Sequence, residues 1–321
     1  MCPCVVANPA GSPGLLQIPA SRGPRPAARS ITGRRLLPAV ALLALLAAPS
    51  LARKPVDAVP AASVAGASAS VFLEDLTWTE LRDAVRAGQT TVLIPVGGTE
   101  QSGPALSLGK HNVRARLLAG RIAQDLGNAI VAPVLPYVPE GSVVPPSSHM
   151  RFAGTISVPE STFEQTLAAI AASLRAHGFR DIVLLGDHGG YQRSLARVAE
   201  RLNREWGRDA ARVYALPEYY RAATQDYAAL LRSQGYPDSE IGTHAALADT
   251  ALQLALAPQT VRTQVLASAP VLDASVGIYG GSPRRASAAL GAAGVDTIVV
   301  RSVEAIRAAI SAAHAPAAKP H

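Results

Sequence analysis

The chain has 321 residues, of which 49% are hydrophobic and 17% charged, with a formal net charge of +7. Residues 1–52 hold five arginines and no acid, so that 25 of the 30 basic residues remain beyond them against 23 acidic ones. This near-neutral remainder has no basic stripe, which argues against nucleic acid as a partner. Both cysteines, Cys2 and Cys4, also lie in that first segment, which excludes disulfides, cysteine nucleophiles and cysteine metal ligands beyond it.

The first 52 residues have the order of a secretory leader. A twin arginine at 34–35 precedes an apolar run at 36–48, and a small-residue cleavage triplet follows at 50–52. The run of about 13 residues is shorter than the roughly 20 that span a bilayer, although an uncleaved membrane anchor is the alternative. We predict a cleavable signal peptide, exported by Sec or Tat, and a periplasmic or secreted mature chain without a stable membrane span.

Three further segments are predicted from composition. Residues 53–70 are rich in Ala, Ser, Val and Pro, which is typical of a flexible spacer. Residues 71–313 are long enough to bury the core of one domain. Residues 314–321 are predicted to be a frayed tail.

Apolar runs and helical periodicities alternate along the domain. Strands are predicted at residues 91–96, 129–135, 180–185, 212–216 and 297–300. Helices are predicted at residues 113–126, 160–177, 192–206, 218–233, 244–256 and 303–313. Strands that alternate with helices predict the α/β class, as a three-layer α/β/α domain with a mostly parallel sheet.

Polar residues follow two of the predicted strands within glycine-rich loops. Glu100 follows strand 91–96, whereas Asp187 and His188 follow strand 180–185. Ligands of such sheets bind beyond the carboxyl ends of the strands, and glycine lets the backbone approach them closely. Each residue alone is equally consistent with a solvated loop or turn, but their shared edge favours a functional site.

Other polar residues extend this candidate site. His111 precedes the helix at 113–126, and His149 lies in a loop rich in Pro and Ser; a surface position is the alternative for each. Asp249 falls among Ala and Leu on the helix that His244 begins. A buried, unpaired carboxylate is costly, so Asp249 requires a metal or an arginine as its partner.

The residue inventory favours metal chemistry. Glutamate, aspartate and neutral histidine, without cysteine, are suited to Zn²⁺ or Mn²⁺. Such a metal polarises an amide carbonyl and lowers the pKa of a bound water. Because the chain has no Gly-x-Ser-x-Gly motif, hydrolysis by metal-activated water is the predicted chemistry.

From about residue 76 to residue 306 the chain resembles the creatininase (creatinine amidohydrolase) family. The resemblance is carried, in order, by residues 93–104 (LIPVGGTEQSGP), 148–157 (SHMRFAGTIS), 186–190 (GDHGG), 244–250 (HAALADT) and the glycine-rich 277–291. It implies the creatininase-like form of the three-layer fold. It also implies a two-metal hydrolase of cyclic and other small amides that is commonly a homo-oligomer.

The metal ligands of the family are matched only in part. Glu100 and His188 stand at ligand positions. Ser102 stands where the family has a histidine ligand, and His111 where it has the aspartate that bridges both metals. Because a serine is a poor ligand and a neutral imidazole does not normally bridge two metals, the resemblance implies one metal or an altered pair.

The resulting hypothesis is a metal-dependent amidohydrolase. The predicted metal ligands are Glu100, His111, His188 and Asp249, the last replacing a glutamate of the family. The predicted catalytic residues are Glu100, His244 and Asp249. The predicted substrate-binding residues are Ser102, His149, Asp187 and Tyr191, where the family has asparagine in place of the tyrosine. A non-catalytic small-molecule binding protein is the main alternative, whereas an assembly subunit has no sequence feature in its favour.

Overall fold

The computed structural model describes residues 70–207 and 211–315. The predicted signal peptide, nearly all of the spacer and residues 316–321 of the predicted tail lie outside these ranges. Those segments therefore stay predictions. In the described part of the chain, no helix combines the length and the apolar character that crossing a membrane requires.

A parallel sheet forms the centre of the described domain. Its strands are β1 (Thr91–Val96), β2 (Ala129–Val131), β3 (Asp181–Gly186) and β4 (Arg212–Ala215), in the order β2-β1-β3-β4. All neighbouring pairs are parallel. β1 and β3 are buried along their whole length, as expected of apolar strands in a sheet that helices cover on both faces.

Helices connect these strands and complete the chain. They are α1 (Trp78–Arg86), α2 (Lys110–Leu126), α3 (Glu160–Ala176), α4 (Gln192–Trp206), α5 (Pro217–Arg221), α6 (Tyr227–Ser233), α7 (Asp238–Ile241), α8 (Leu247–Leu256), α9 (Thr263–Ser268) and α10 (Ala288–Ala313). A π-helical segment, Ala222–Asp226, joins α5 to α6. β5 (Gly242–His244), which precedes α8, and β6 (Tyr279–Gly281), which precedes α10, form a small antiparallel pair.

Two apolar layers hold the helices against the sheet. Phe163 of α3 and Leu195 of α4 pack in one cluster with Ile94 of β1. Leu118 of α2 and Ile298 of α10 pack in another, which contains Leu93 and Val183 from the strands. Because side chains alternate between the faces of a strand, Leu93 and Ile94 serve opposite layers. The predicted three-layer α/β/α class is confirmed.

The predicted strand at 297–300 is wrong, because these residues lie inside α10. Its β-branched run Thr-Ile-Val-Val favours a strand locally. However, residues buried at helical spacing recur along most of the 26-residue helix, from Gly291 through Val295 and Ile298 to Ile306. Burial along that face outweighs the local β-propensity.

The predicted helix at 244–256 begins three residues later than expected. His244 lies in β5, opposite Tyr279, and α8 begins at Leu247. Between them Ala245 takes a left-handed conformation, with φ of 53°. The backbone N–H of Ala245 donates to Oδ2 of Asp249 over 2.9 Å, which holds the turn that separates the strand from the helix.

The chain beyond α10 is held at its first residue. Nε2 of His314 lies 2.8 Å from Oδ1 of Asp181, at the start of β3. The Tyr214 hydroxyl donates to the same carboxylate oxygen over 2.9 Å. Residue 314, the first of the predicted tail, therefore packs against the sheet.

Candidate metal centre

The candidate site residues converge at the carboxyl edge of the parallel sheet. Glu100 follows β1, and Asp187 and His188 follow β3, as the sequence predicts. α2 begins at the same edge with Lys110 and His111. The parallel direction of β1 and β3 is what brings these otherwise distant residues together.

Two buried glutamates form the centre of the site. Glu100 and Glu140 are 0% and 3% exposed. Oε2 of Glu100 and both carboxylate oxygens of Glu140 have no hydrogen-bond partner among the described residues. Burial, together with the charge of Glu100, raises the pKa of Glu140 to about 9. Two adjacent carboxylates with unpaired oxygens require a cation between them if both are to be ionised.

Two imidazoles complete this group. One ligand atom from each of Glu100, Glu140, His149 and His188 lies within 4.8 Å of the others. Oε2 of Glu100 is 3.3 Å from Nε2 of His149 and 3.6 Å from Nε2 of His188. Burial lowers the pKa of His188 to about 4 and also lowers the pKa of His149, so both rings are neutral at pH 7. This donor set fits Zn²⁺ or Mn²⁺. We call these four residues the metal group.

His111 links two carboxylates. Its Nε2 is 2.8 Å from Oε1 of Glu100, and its Nδ1 is 2.5 Å from Oδ2 of Asp187. Burial opposes protonation, but the two carboxylates outweigh it and raise the pKa of His111. Both ring nitrogens are therefore engaged by acids, and His111, predicted as a metal ligand, lies beside the metal group rather than in it.

Asp249 lies in a buried ion-pair network. Its Oδ1 accepts a hydrogen bond of 2.5 Å from the Arg114 guanidinium, and its Oδ2 accepts from Nζ of Lys110. These cations overcome the effect of burial and hold the pKa of Asp249 well below its usual range. The partner that the sequence required for this carboxylate is thus an arginine together with a lysine, and Asp249 does not join the metal group.

Asp187 shares the same network. It accepts hydrogen bonds from Nε of Arg114 over 2.9 Å and from the Tyr219 hydroxyl over 2.7 Å. Together with the contact to His111, these bonds fill its oxygens. Asp187 lines the cavity beside the metal group, as do His149 and His188.

Two predicted substrate-binding residues lie outside the cavity lining. Tyr191 is completely buried, and its hydroxyl accepts from the backbone N–H of His188 over 3.0 Å. The same hydroxyl donates to the carbonyl of Val96 at the end of β1 over 2.7 Å. Tyr191 therefore braces the His188 loop against the sheet. Ser102 is also buried, and in the described structure its hydroxyl has no hydrogen-bond partner.

Gln101 positions two of the histidines. Its Oε1 accepts from the backbone N–H of Gly103 over 3.0 Å, which turns Nε2 toward Nδ1 of His149, also 3.0 Å away. Nε2 of His244 lies 3.0 Å from the carbonyl oxygen of Gln101 and donates to it. Burial lowers the pKa of His244 to about 3, and its Nδ1 lies 3.6 Å from Oε1 of Glu100. A neutral His244 therefore faces the metal group.

The metal group opens into a cavity of about 260 Å³. Its polar lining comprises His111, Arg114, His149, Asp187, His188, Tyr220, Thr224, Thr243, His244 and Asp249. Its apolar lining comprises Ala223, Ala228, Ile241, Ala248 and Leu252, with Gly189 and Gly242. The cavity therefore offers room for a small molecule next to the candidate metal ligands.

The sequence analysis missed Glu140 and Lys110. Glu140 lies in the loop that follows β2, and the carboxyl end of this strand points to the same edge as those of β1 and β3. The rule that singled out the loops after β1 and β3 therefore also applied here. Lys110 is completely buried, although it directly precedes His111 in the sequence. A single lysine among polar residues forms no sequence pattern that predicts its burial.

The three-layer fold and the metal group define an α/β protein with a candidate metal centre at the carboxyl edge of its sheet. The model of the creatininase family, described as creatinine amidohydrolase, matches residues 74–306. The chain belongs to this family. The resemblance inferred from the five sequence blocks is confirmed.

Two relatives illustrate the range of the family. Creatinine amidohydrolase of Pseudomonas putida is 29% identical over 209 residues, which cover 60% of this chain and 75% of the relative. The mycofactocin precursor peptide peptidase of Mycolicibacterium smegmatis is 36% identical over 124 residues, which cover 37% of this chain and 47% of the relative. The two names denote different substrates.

Solved structures of creatininases share the fold. One described as Mn creatininase has a TM-score of 0.60 at 26% identity, covering 75% of this chain and 99% of the other. A mutant creatininase of Zn-Zn type has a TM-score of 0.58 at 25% identity, covering 76% of this chain and 99% of the other. These neighbours hold manganese or zinc, the two metals that the residue types of this chain favour.

Proposed function

We propose that the protein is a metal-dependent amidohydrolase that cleaves the C–N bond of a cyclic or other small amide. The observation that carries this proposal is the metal group, in which Glu100 and Glu140 lie beside two neutral imidazoles. Three of their carboxylate oxygens have no hydrogen-bond partner within the described part of the chain. Membership of the creatininase family supports it. The names of the two relatives, an amidohydrolase and a peptidase, both denote amide hydrolysis.

We assign the roles of the residues from their positions. Glu100, Glu140, His149 and His188 would hold Zn²⁺ or Mn²⁺. When bound, such a metal polarises an amide carbonyl and lowers the pKa of a water molecule. His244 lines the same cavity and faces Glu100, so we assign it the transfer of a proton.

We propose one metal for each chain rather than two. Beside the metal group, the permanently charged Arg114 and the buried ammonium of Lys110 neutralise Asp187 and Asp249. A second divalent cation bound by these two acids would lie against both positive side chains, which Coulomb repulsion opposes strongly in a buried site. The acids of the network are thus already paired with the cations of α2.

Metal analysis combined with activity assays tests the proposal. Protein purified after expression with its own leader is stripped with a chelator and titrated with zinc or manganese. We expect one metal ion per chain and hydrolysis of at least one member of a panel of small cyclic and linear amides. Both should be lost in Glu100→Gln and in His188→Asn, but retained in Glu200→Gln, which alters an exposed residue of α4. Stoichiometric metal without turnover would favour the non-catalytic alternative, and the absence of stoichiometric metal would refute metal dependence.

The close approach of Gly98 to Glu140 provides a second test. Gly98 has φ of 151°, and a Cβ atom there would lie 2.7 Å from Oε1 of Glu140. Gly98→Ala should therefore displace Glu140 and weaken zinc binding about tenfold or more, because changes around a metal ligand typically reduce metal affinity by that much. The measurement is competition with a chromophoric chelator.

Gly88→Ala is the matched control for this change. Gly88 also has positive φ, of 103°, but a Cβ atom there meets nothing within 4 Å. Both variants carry backbone strain, whereas only Gly98→Ala disturbs the metal group. Equal zinc affinities in the two variants would argue against Glu140 as a ligand.

A further inference from the structure

The cavity lining combines two chemically different sets of side chains. One set includes His149 and His188 of the metal group. The other consists of five aliphatic side chains, Ala223, Ala228, Ile241, Ala248 and Leu252, which come from the π-helical segment, α6, α7 and α8 and pack in one apolar cluster. We call these five side chains the apolar end. A molecule whose reacting group is held by the metal group then has the apolar end available for its remaining atoms.

The charged residues of the cavity are paired with one another. The guanidinium of Arg114 binds Asp187 on one side and Asp249 on the other. Lys110 binds the second oxygen of Asp249 from within the protein. Among the described lining residues, neither sign of charge is therefore left over to pair with a charged substituent of a ligand. Burying such a substituent without a partner is costly.

The apolar end is built by an unusual backbone. Ala223 and Thr224, which line the cavity, belong to the π-helical segment Ala222–Asp226. π-Helical turns are rare, and they occur frequently at functional sites because they shift side chains out of regular helical positions. Thr224 and Thr243 are both exposed, so the cavity reaches solvent there.

The size of the cavity limits the ligand. Its volume of about 260 Å³ has to hold both the reacting group and the apolar remainder. Cavities for drug-sized ligands begin at roughly 300 Å³. Leu252 and Ala228 of the apolar end are both buried. A compact ligand of few atoms is therefore favoured over a peptide.

We propose that the substrate is an amide whose non-reacting part is a short, uncharged aliphatic group, bound against Ala223, Ala248 and Leu252. This inference rests on the proposed metal-dependent function and specifies its substrate class. Because Arg114, Asp187 and Asp249 pair with one another, they leave no partner for the ionised tail of a substrate. The aliphatic wall supplies binding free energy through the burial of methylene groups.

Straight-chain hydroxamates test this inference by affinity, without any turnover. Their hydroxamate group chelates zinc, and their alkyl chain probes the wall. Binding of acetohydroxamate, butyrohydroxamate and hexanohydroxamate to the zinc-loaded protein is measured by isothermal titration calorimetry. We expect affinity to rise up to about fourfold for each methylene that becomes buried. Succinate monohydroxamate, which matches butyrohydroxamate in length but ends in a carboxylate, should bind at least tenfold more weakly than butyrohydroxamate.

Two pairs of measurements localise the effect. Ala223→Leu fills the apolar end, and we expect it to reduce the ratio of hexanohydroxamate to acetohydroxamate affinity to below threefold. Ala229→Leu makes the same change at an exposed position of α6 and should keep the wild-type ratio. Ala248→Leu is the second filling variant, in case the first does not fold. Metal content and circular dichroism are measured for each.

The outcomes separate this inference from the function on which it rests. Hydroxamates that bind with the same affinity at every chain length, or a charged tail that binds as well as an alkyl one, would overturn the inference alone. No hydroxamate binding to a protein that contains zinc would overturn the proposed function, and the inference with it. A chain-length dependence that Ala223→Leu and Ala248→Leu leave intact would place the aliphatic group elsewhere and would also overturn the inference.

Discussion

Glu140→Gln is expected to stabilise the metal-free protein and to abolish stoichiometric metal binding. In the metal-free protein Glu140 is buried beside Glu100, and burial together with that charge raises its pKa to about 9. At pH 7 the folded chain must then hold a proton that the unfolded chain releases, at a cost on the order of 3 kcal/mol. Glutamine removes this cost, and we expect a gain of about 1–3 kcal/mol in the free energy of unfolding.

The effect of Glu140→Gln on the free energy of unfolding should change sign when metal is present. The zinc-loaded wild-type protein gains stability by mass action, and the variant, lacking a ligand, does not. Urea unfolding of both proteins at pH 7, with and without zinc, measures the two effects. Glu200→Gln serves as the control, because it neutralises an exposed glutamate. A variant that is less stable than the wild type in both conditions would contradict this account of Glu140.

The pH dependence follows from the direction of the shift. The pKa of Glu140 in the folded, metal-free protein is higher than that of an unfolded glutamate, which is about 4.3. Its contribution to stability is therefore complete below about pH 4.3 and is lost as pH rises through about 9. Between pH 5 and pH 9 the metal-free wild type should lose stability relative to Glu140→Gln. A constant difference over this range would argue against the shift.

Lys110→Met is expected to lower the free energy of unfolding by about 3–5 kcal/mol. Lys110 is completely buried and pairs with Asp249, while its Nζ also lies 3.8 Å from Oε1 of Glu100. Methionine has a similar length but no charge, so that Asp249 loses one of its cationic partners and Glu100 a nearby positive charge. Urea unfolding of the zinc-loaded proteins is the measurement.

Arg285→Met is the control for the loss of a cation. Arg285 pairs with Glu240 over 3.1 Å at the surface, where the arginine side chain is 58% exposed. Pairs of this kind contribute at most about 1 kcal/mol, because solvent screens them. If the two substitutions have equal costs, the network around Lys110 is not the buried structural element that the geometry indicates.

Local signals in the sequence were sufficient for most of the sheet. After one polar residue each, β1 and β3 are apolar runs with a glycine after Val96 and at Gly186, and both strands lie within one residue of where this pattern predicts them. Such runs predict buried strands because a strand covered on both faces has no polar side. The predicted strand at 297–300 was wrong because local β-propensity did not decide the structure of this segment. Its β-branched residues lie on α10, which packs against α2 and α8.

The candidate site, too, could be predicted from the sequence only in part. The sequence by itself predicted that Glu100 and His188 lie at one edge of the sheet. The carboxyl ends of parallel strands lie at the same edge, whatever connects the strands. Only the tertiary structure decided that Glu140 and His149 join them, since both lie on long loops whose path no local pattern specifies. It also decided that Asp249 pairs with Lys110 and Arg114, because the pairing of buried charges depends on which side chains meet when α2 packs against α8.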